Sequence, residues 1–231
     1  HDLKTVLLGP FPGELFNMNV MTSKPYGTYV TYSPTCVNDS IPKQLSEIVP
    51  DRLIGKLKVI PVSVGLNEDI RLDMLKSSCP EIQNGDVVFI KTGYSDTYRK
   101  QKPEAGYYLQ SPGLSYEAAR WLISLGVKVI GIDSRTIEPN RLGKDQELSV
   151  TQLFNNNGVV VVEDAVNLGS ITDDADHAII GIPVKIHGAV GGPARVIAIN
   201  MDNPEKFVDL SHLILTHPRD KYMTEYPFQL P

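Results

Sequence analysis

Three short apolar runs constrain this chain most: residues 87–90, 127–132 and 159–162, the last being four consecutive valines. Each is apolar at successive rather than alternate positions, apart from Lys128 near the start of the second. Strands written that way are buried on both faces. Helical patterns lie between them. Ser115 is a suitable cap for a helix over 116–125, which turns Trp121, Leu122 and Leu125 to one side, and Gly126 follows in the usual C-terminal place. A second helix is predicted over about 149–156, stopping at Gly158. Strand–helix–strand order predicts an α/β layer with parallel pairs.

The flanking regions read differently. Residues 4–8, 17–21 and 26–32 are short β segments separated by Gly and Pro. Ser40, with Pro42 in the first turn, caps an expected helix with Leu45, Ile48 and Val49 as its apolar stripe. Residues 57–64 form a β-branched run, and 68–77 place Ile70, Met74 and Leu75 on one helical side. Residues 179–186 and 195–199 read as strands around a Gly-rich hairpin turn at 188–192. The expected fold is therefore α/β with a mixed sheet, as one domain over 1–231, since no linker invites a split.

Charge and composition exclude several functions. The net charge is −5 without a basic block, so no nucleic-acid partner is expected. No apolar run reaches the roughly 18 residues of a membrane span. Cys36 and Cys79 cannot build a disulfide framework, though one bridge is possible. The chain is expected to be soluble; the compartment stays open, with the cytoplasm favoured over secretion.

There is no Gly-x-Ser-x-Gly elbow and no phosphate-binding Gly-rich loop. The five histidines show no HxH or HExxH spacing. Carboxylates end the apolar strands instead: Asp133, Glu163 and Asp164. Such groups either cap turns or serve a site. Residues 91–94 end another strand, where α/β proteins place ligand groups.

Several segments together resemble the cyclase / kynurenine formamidase-like family of metal-dependent hydrolases. They are Gly85 to Tyr94, Ser111 to Leu122 with its Ser-Pro-Gly-Leu-Ser opening, Gly126 to Asp133 ending in Gly-Ile-Asp, and Gly158 to Leu168. Ile182 to Gly188 and Gly192 to Arg195 resemble that family's C-terminal hairpin, and His1 to Leu3 its opening strand. The resemblance implies a swivelling β/β/α-type domain, assembled as a dimer or tetramer, with β segments of 1–35 in the contact. It implies amide or lactam hydrolysis by a metal-bound water.

The family's signature, His-x-Gly-Thr-His-x-Asp-x-Pro-x-His, is altered here. Gly27, Thr28 and Pro34 are kept, but Pro25, Tyr29, Thr31 and Cys36 stand where ligands are expected. A further family histidine aligns with Thr151, whereas the ligand glutamate remains as Glu163. Zinc sites need three or four Cys, His, Asp or Glu donors. The expectation is no metal and no other cofactor.

Two readings follow. In the first, the chain is a metal-independent hydrolase or lyase for a small amide, lactam or related carbonyl compound. Glu163 is general base or acid, Tyr29 donates to an oxyanion, and Cys36 is a candidate nucleophile. Thr31, Tyr32 and Thr151 line the substrate pocket. In the second, the same pocket is non-catalytic and binds a small molecule or acts beside a partner subunit. Tyr29 and Tyr32 can equally be strand-packing residues, Cys36 a small buried hydrophobe, and Glu163 the partner of Lys91 or Arg195.

Overall fold

The computed structural model describes residues 28–35, 44–98, 110–139, 148–171, 176–185 and 189–211. The valine-rich runs are strands: β4 (Val87–Lys91), β6 (Val129–Ile132) and β7 (Val160–Glu163), joined by β2 (Ile54–Pro61). All neighbours in the order β2-β4-β6-β7 are parallel. The ring is completed antiparallel by β1 (Tyr29–Thr31), β8 (His177–Pro183) and β9 (Gly191–Asn200), because β1 pairs with both β7 and β9. Strand β10 (Phe207–Asp209) lines the outside edge of β9, and β3 (Asp69–Ile70) pairs separately with β5 (Gly113–Leu114). A mixed sheet thus closes on itself.

Burial on both strand faces has a direct cause. Side chains alternate across a strand. One face, including Val30, Val87, Phe89, Val160, Val162 and Val196, fills the inside of the ring. The other, including Val88, Ile90, Ile130 and Val161, is covered by helices α1 (Leu72–Ser78), α3 (Tyr116–Ser124) and α4 (Val150–Asn156). A short α2 (Tyr94–Tyr98) follows β4. Ser115 Oγ accepts from Ala118 N to cap α3, and Ser149 with Gln152 forms a capping box on α4. Gly126 ends α3 in the left-handed region, φ 77°. Leu122 is fully buried, and Trp121 and Leu125 pack beside it at the edge of the same core.

Three local expectations change. Leu45–Glu47 and Pro50–Leu53 are two 3-10 turns rather than one helix, because Pro50 supplies no N–H to continue the first. Leu45 and Ile48 are buried, but Val49 is exposed. The expected helix over 68–77 begins only at Leu72, after Asp69–Ile70 has paired as β3. Gly191 and Gly192 open β9 instead of forming a turn. The segments 4–8, 17–21 and Ser40 with Pro42 lie outside the described residues, as does the 1–27 part of the expected oligomer contact.

Candidate functional site

Glu163 is the last residue of β7, and its antiparallel partner on β1 is Tyr29. Directly paired residues project to the same face. Thr31, opposite Val161, shares that face, which is the helix-covered one. Across the other edge of β1, Gly191 is paired with Thr31. A β-carbon at Gly191 would lie 2.5 Å from Tyr29 Cε1 and 2.7 Å from the Val30 carbonyl oxygen. Only glycine lets β9 approach here while the Tyr29 ring lies over it.

Glu163 has no solvent exposure. Its Oε1 accepts from Thr136 Oγ1 at 2.9 Å and from the Ile137 backbone N–H at 2.8 Å. Thr136 Oγ1 in turn accepts from Glu138 N at 3.2 Å. The Glu138 carboxylate then spans the start of α4, accepting from Val150 N (2.8 Å) and Thr151 N (2.9 Å). One short loop after β6 therefore links Glu163 to the helix that carries Thr151. One turn further along α4, Asn155 accepts from Ser33 N and donates to the Thr31 carbonyl. Thr151 lies on that same side of the helix, toward β1. The hydroxyls of Thr31 and Thr151 are both buried without a hydrogen-bond partner among the described residues.

The β1–β7 register thus puts Tyr29, Thr31 and Glu163 on one face of the sheet, and Asn155 holds the helix that carries Thr151 against β1. Tyr32 goes elsewhere: it follows Thr31, faces the inside of the ring and packs with Val30, Leu53 and Val162. Cys36 lies outside the described residues. Arg195 is engaged by Asp209, Nη2 to Oδ2 2.7 Å. Thr136 and Glu138 were not singled out in the sequence. Their only sequence signal is position, just after Asp133 at a strand end.

Electrostatics separate the groups. Burial, with a smaller contribution from the Glu163 charge, pushes the Tyr29 phenol up to about 12. It therefore stays protonated and a donor at neutral pH. At the end of β6, Asp133 is pushed up to about 6 by burial, against the effect of three donors. These are Thr92 N (2.9 Å), Thr92 Oγ1 (2.6 Å) and Gly93 N (2.7 Å). Asp164, also buried, donates its N–H to the Ser134 carbonyl and accepts Thr28 Oγ1 on its own carbonyl, closing the end of β7.

The four described side chains do not by themselves make a divalent-metal set, and Cys36 lies outside the described residues. Among the described residues no three His, Cys, Asp or Glu side chains converge. A phenol held protonated and two threonine hydroxyls are poor ligands. The single carboxylate of the group already receives two hydrogen bonds on one oxygen.

The closed mixed sheet, with its helices on the outside of the parallel part, defines a cyclase-like α/β protein. The Cyclase family model matches residues 5–139, and the chain belongs to that family. Solved structures are similar to it in fold. Isatin hydrolase A from Ralstonia solanacearum superposes with a TM-score of 0.62 at 21% identity, over 74% of this chain and 70% of that one. Isatin hydrolase A from Labrenzia aggregata, bound to benzyl benzoate, gives 0.61 at 20%, over 74% and 71%. A predicted metal-dependent hydrolase from Bacillus stearothermophilus gives 0.55 at 24%, over 74% and 75%. No curated protein matches the sequence. No helix among the described residues is long and apolar enough to cross a membrane.

Proposed function

We propose that this chain acts on a small amide, lactam or related carbonyl compound without a metal, at the face shared by Tyr29, Thr31, Thr151 and Glu163. The observation that carries this reading is the pairing of a protonated phenol with a buried carboxylate across β1 and β7. Tyr29 donates to the carbonyl oxygen, where negative charge develops during addition. Glu163 moves the proton of the attacking water or of the leaving nitrogen. The unpartnered hydroxyls of Thr31 and Thr151 position the substrate. The similarity to isatin hydrolases supports the substrate class.

One observation favours a second reading, a non-catalytic small-molecule binder or partner subunit. Glu163 is fully buried, and its Oε1 is held by Thr136 and Ile137. A carboxylate used only as that anchor would orient the loop and transfer no proton. A paired experiment separates the two. Amide, lactam and ester compounds are screened with N-formylkynurenine first, and Glu163→Gln is compared with the parent. Turnover lost while ligand binding persists supports the enzyme. No turnover by the parent, with a ligand that still raises the melting temperature, supports the binder.

The chain self-associates as a dimer or tetramer in this proposal, with the β segments of 1–35 covered by a two-fold partner. Light scattering at micromolar concentration tests this, and a monomer contradicts it.

A further inference from the structure

A concavity lies at the carboxyl ends of β2 and β4, which stand three and two strands from β7 in the sheet. It is a cleft of about 710 Å³. Pro61, Val62 and Met74 give it an apolar wall, and Lys91 and Asp96 bring charges of opposite sign to it. Both charged side chains are half-buried, and neither forms an ion pair or side-chain hydrogen bond among the described residues. Withdrawing such groups from water without partners costs stability. Among the described residues no partner recovers that cost.

The rim that carries them is tied down by hydrogen bonds. Lys91 ends β4, and its carbonyl accepts from Val62 N at 2.9 Å. The next two residues, Thr92 and Gly93, donate to the buried Asp133. Asp96 follows in α2 and faces Gly169, where a β-carbon would stand 3.2 Å from its Oδ2. The missing side chain at Gly169 leaves the carboxylate open to the cleft. A doubly charged phosphate would meet Asp96 unfavourably, and a plain cation would meet Lys91. A molecule with one ammonium and one carboxylate satisfies both.

We propose that this cleft binds a small zwitterion of the α-amino-acid type. Asp96 takes the ammonium, Lys91 the carboxylate, and Pro61, Val62 and Met74 the apolar remainder. The proposal does not depend on chemistry at Tyr29 and Glu163.

Isothermal titration calorimetry with L-phenylalanine, L-leucine and L-methionine tests it. L-Phenylalaninamide and N-acetyl-L-phenylalanine, each lacking one charge, are the controls. At least one zwitterion is expected to bind saturably. Removing either ligand charge, or introducing Lys91→Met or Asp96→Asn, is expected to weaken binding about tenfold, as loss of a charged hydrogen bond does. Gly169→Val, which crowds the Asp96 carboxylate, has the same direction, while Tyr29→Phe leaves binding unchanged. The positions of Lys91 and Asp96 are partly exposed, and melting curves confirm that each variant is folded. The proposal is overturned if no zwitterion binds, if binding survives both charge substitutions, or if Tyr29→Phe abolishes it.

Discussion

Tyr29 and Glu163 are direct partners across the antiparallel β1–β7 ladder, so a phenol and a fully buried carboxylate share one face of the closed sheet. The helix-bearing residue Thr151 is tied to the same carboxylate through Thr136 and Glu138. The arrangement is held by backbone register on one side and by a hydrogen-bonded loop on the other.

The Tyr29 phenol gives the first prediction. Its ionisation is displaced from the ordinary 10 to about 12 in the folded protein. Between these values the unfolded chain releases a proton that the native state keeps. Stability from this group is therefore complete below pH 10 and falls as pH rises toward 12, by a total on the order of 2–3 kcal/mol. Urea denaturation of the parent and of Tyr29→Phe across this range checks it. The parent should lose the difference, and the variant should not.

Gly191→Ala should be costly despite its small size. The added methyl would overlap both Tyr29 Cε1 and the Val30 carbonyl oxygen. Overpacking of this kind costs about 1–3 kcal/mol. A melting temperature within a degree or so of the parent would show that β1 and β9 are not held this closely.

Glu163 carries structure as well as any chemistry. Glu163→Ala leaves Thr136 Oγ1 and Ile137 N–H without their acceptor in a buried place. The expected loss is about 2–5 kcal/mol. Glu163→Gln keeps one acceptor oxygen and should cost clearly less. Equal losses, measured by chemical denaturation, would contradict the observed role of Oε1.

Asp133 sets a pH dependence at the acid end. Its native-state value near 6 lies above the ordinary 3.8. Native protein holds this proton where the unfolded chain has lost it. Stability from the group is greatest below about pH 4 and declines as pH rises to 6, by roughly 2–3 kcal/mol in all. Subtracting the profile of Asp133→Asn from that of the parent isolates the contribution of this carboxyl group. A flat difference across this window contradicts it.

The sequence carried the parallel layer well because its strands are buried on both faces, and a valine run such as 159–162 has no other good home. Tyr29, Thr31, Thr151 and Glu163 stand out in the sequence through the family resemblance more than through local pattern, and the β1–β7 register puts Tyr29, Thr31 and Glu163 on one face. Tyr32 was separable in principle: it is three positions from Tyr29, and no bulge in β1 re-aims it. Thr136 and Glu138 were not legible. Their partners lie 27 and 12–13 residues further along the chain, and no periodicity encodes a loop that reaches forward to cap a helix. The opening of β9 was misread because paired glycines usually mark turns, whereas Gly191 is required by close packing on Tyr29.

The most direct test of metal-independent chemistry at Tyr29 and Glu163 is turnover of N-formylkynurenine and the wider amide and lactam panel by chelator-treated protein, with Glu163→Gln measured alongside. Turnover is expected to persist in chelator and to fall by about a hundredfold or more in the folded variant. Turnover that returns only on adding zinc or manganese, or that is unchanged in Glu163→Gln, would contradict it.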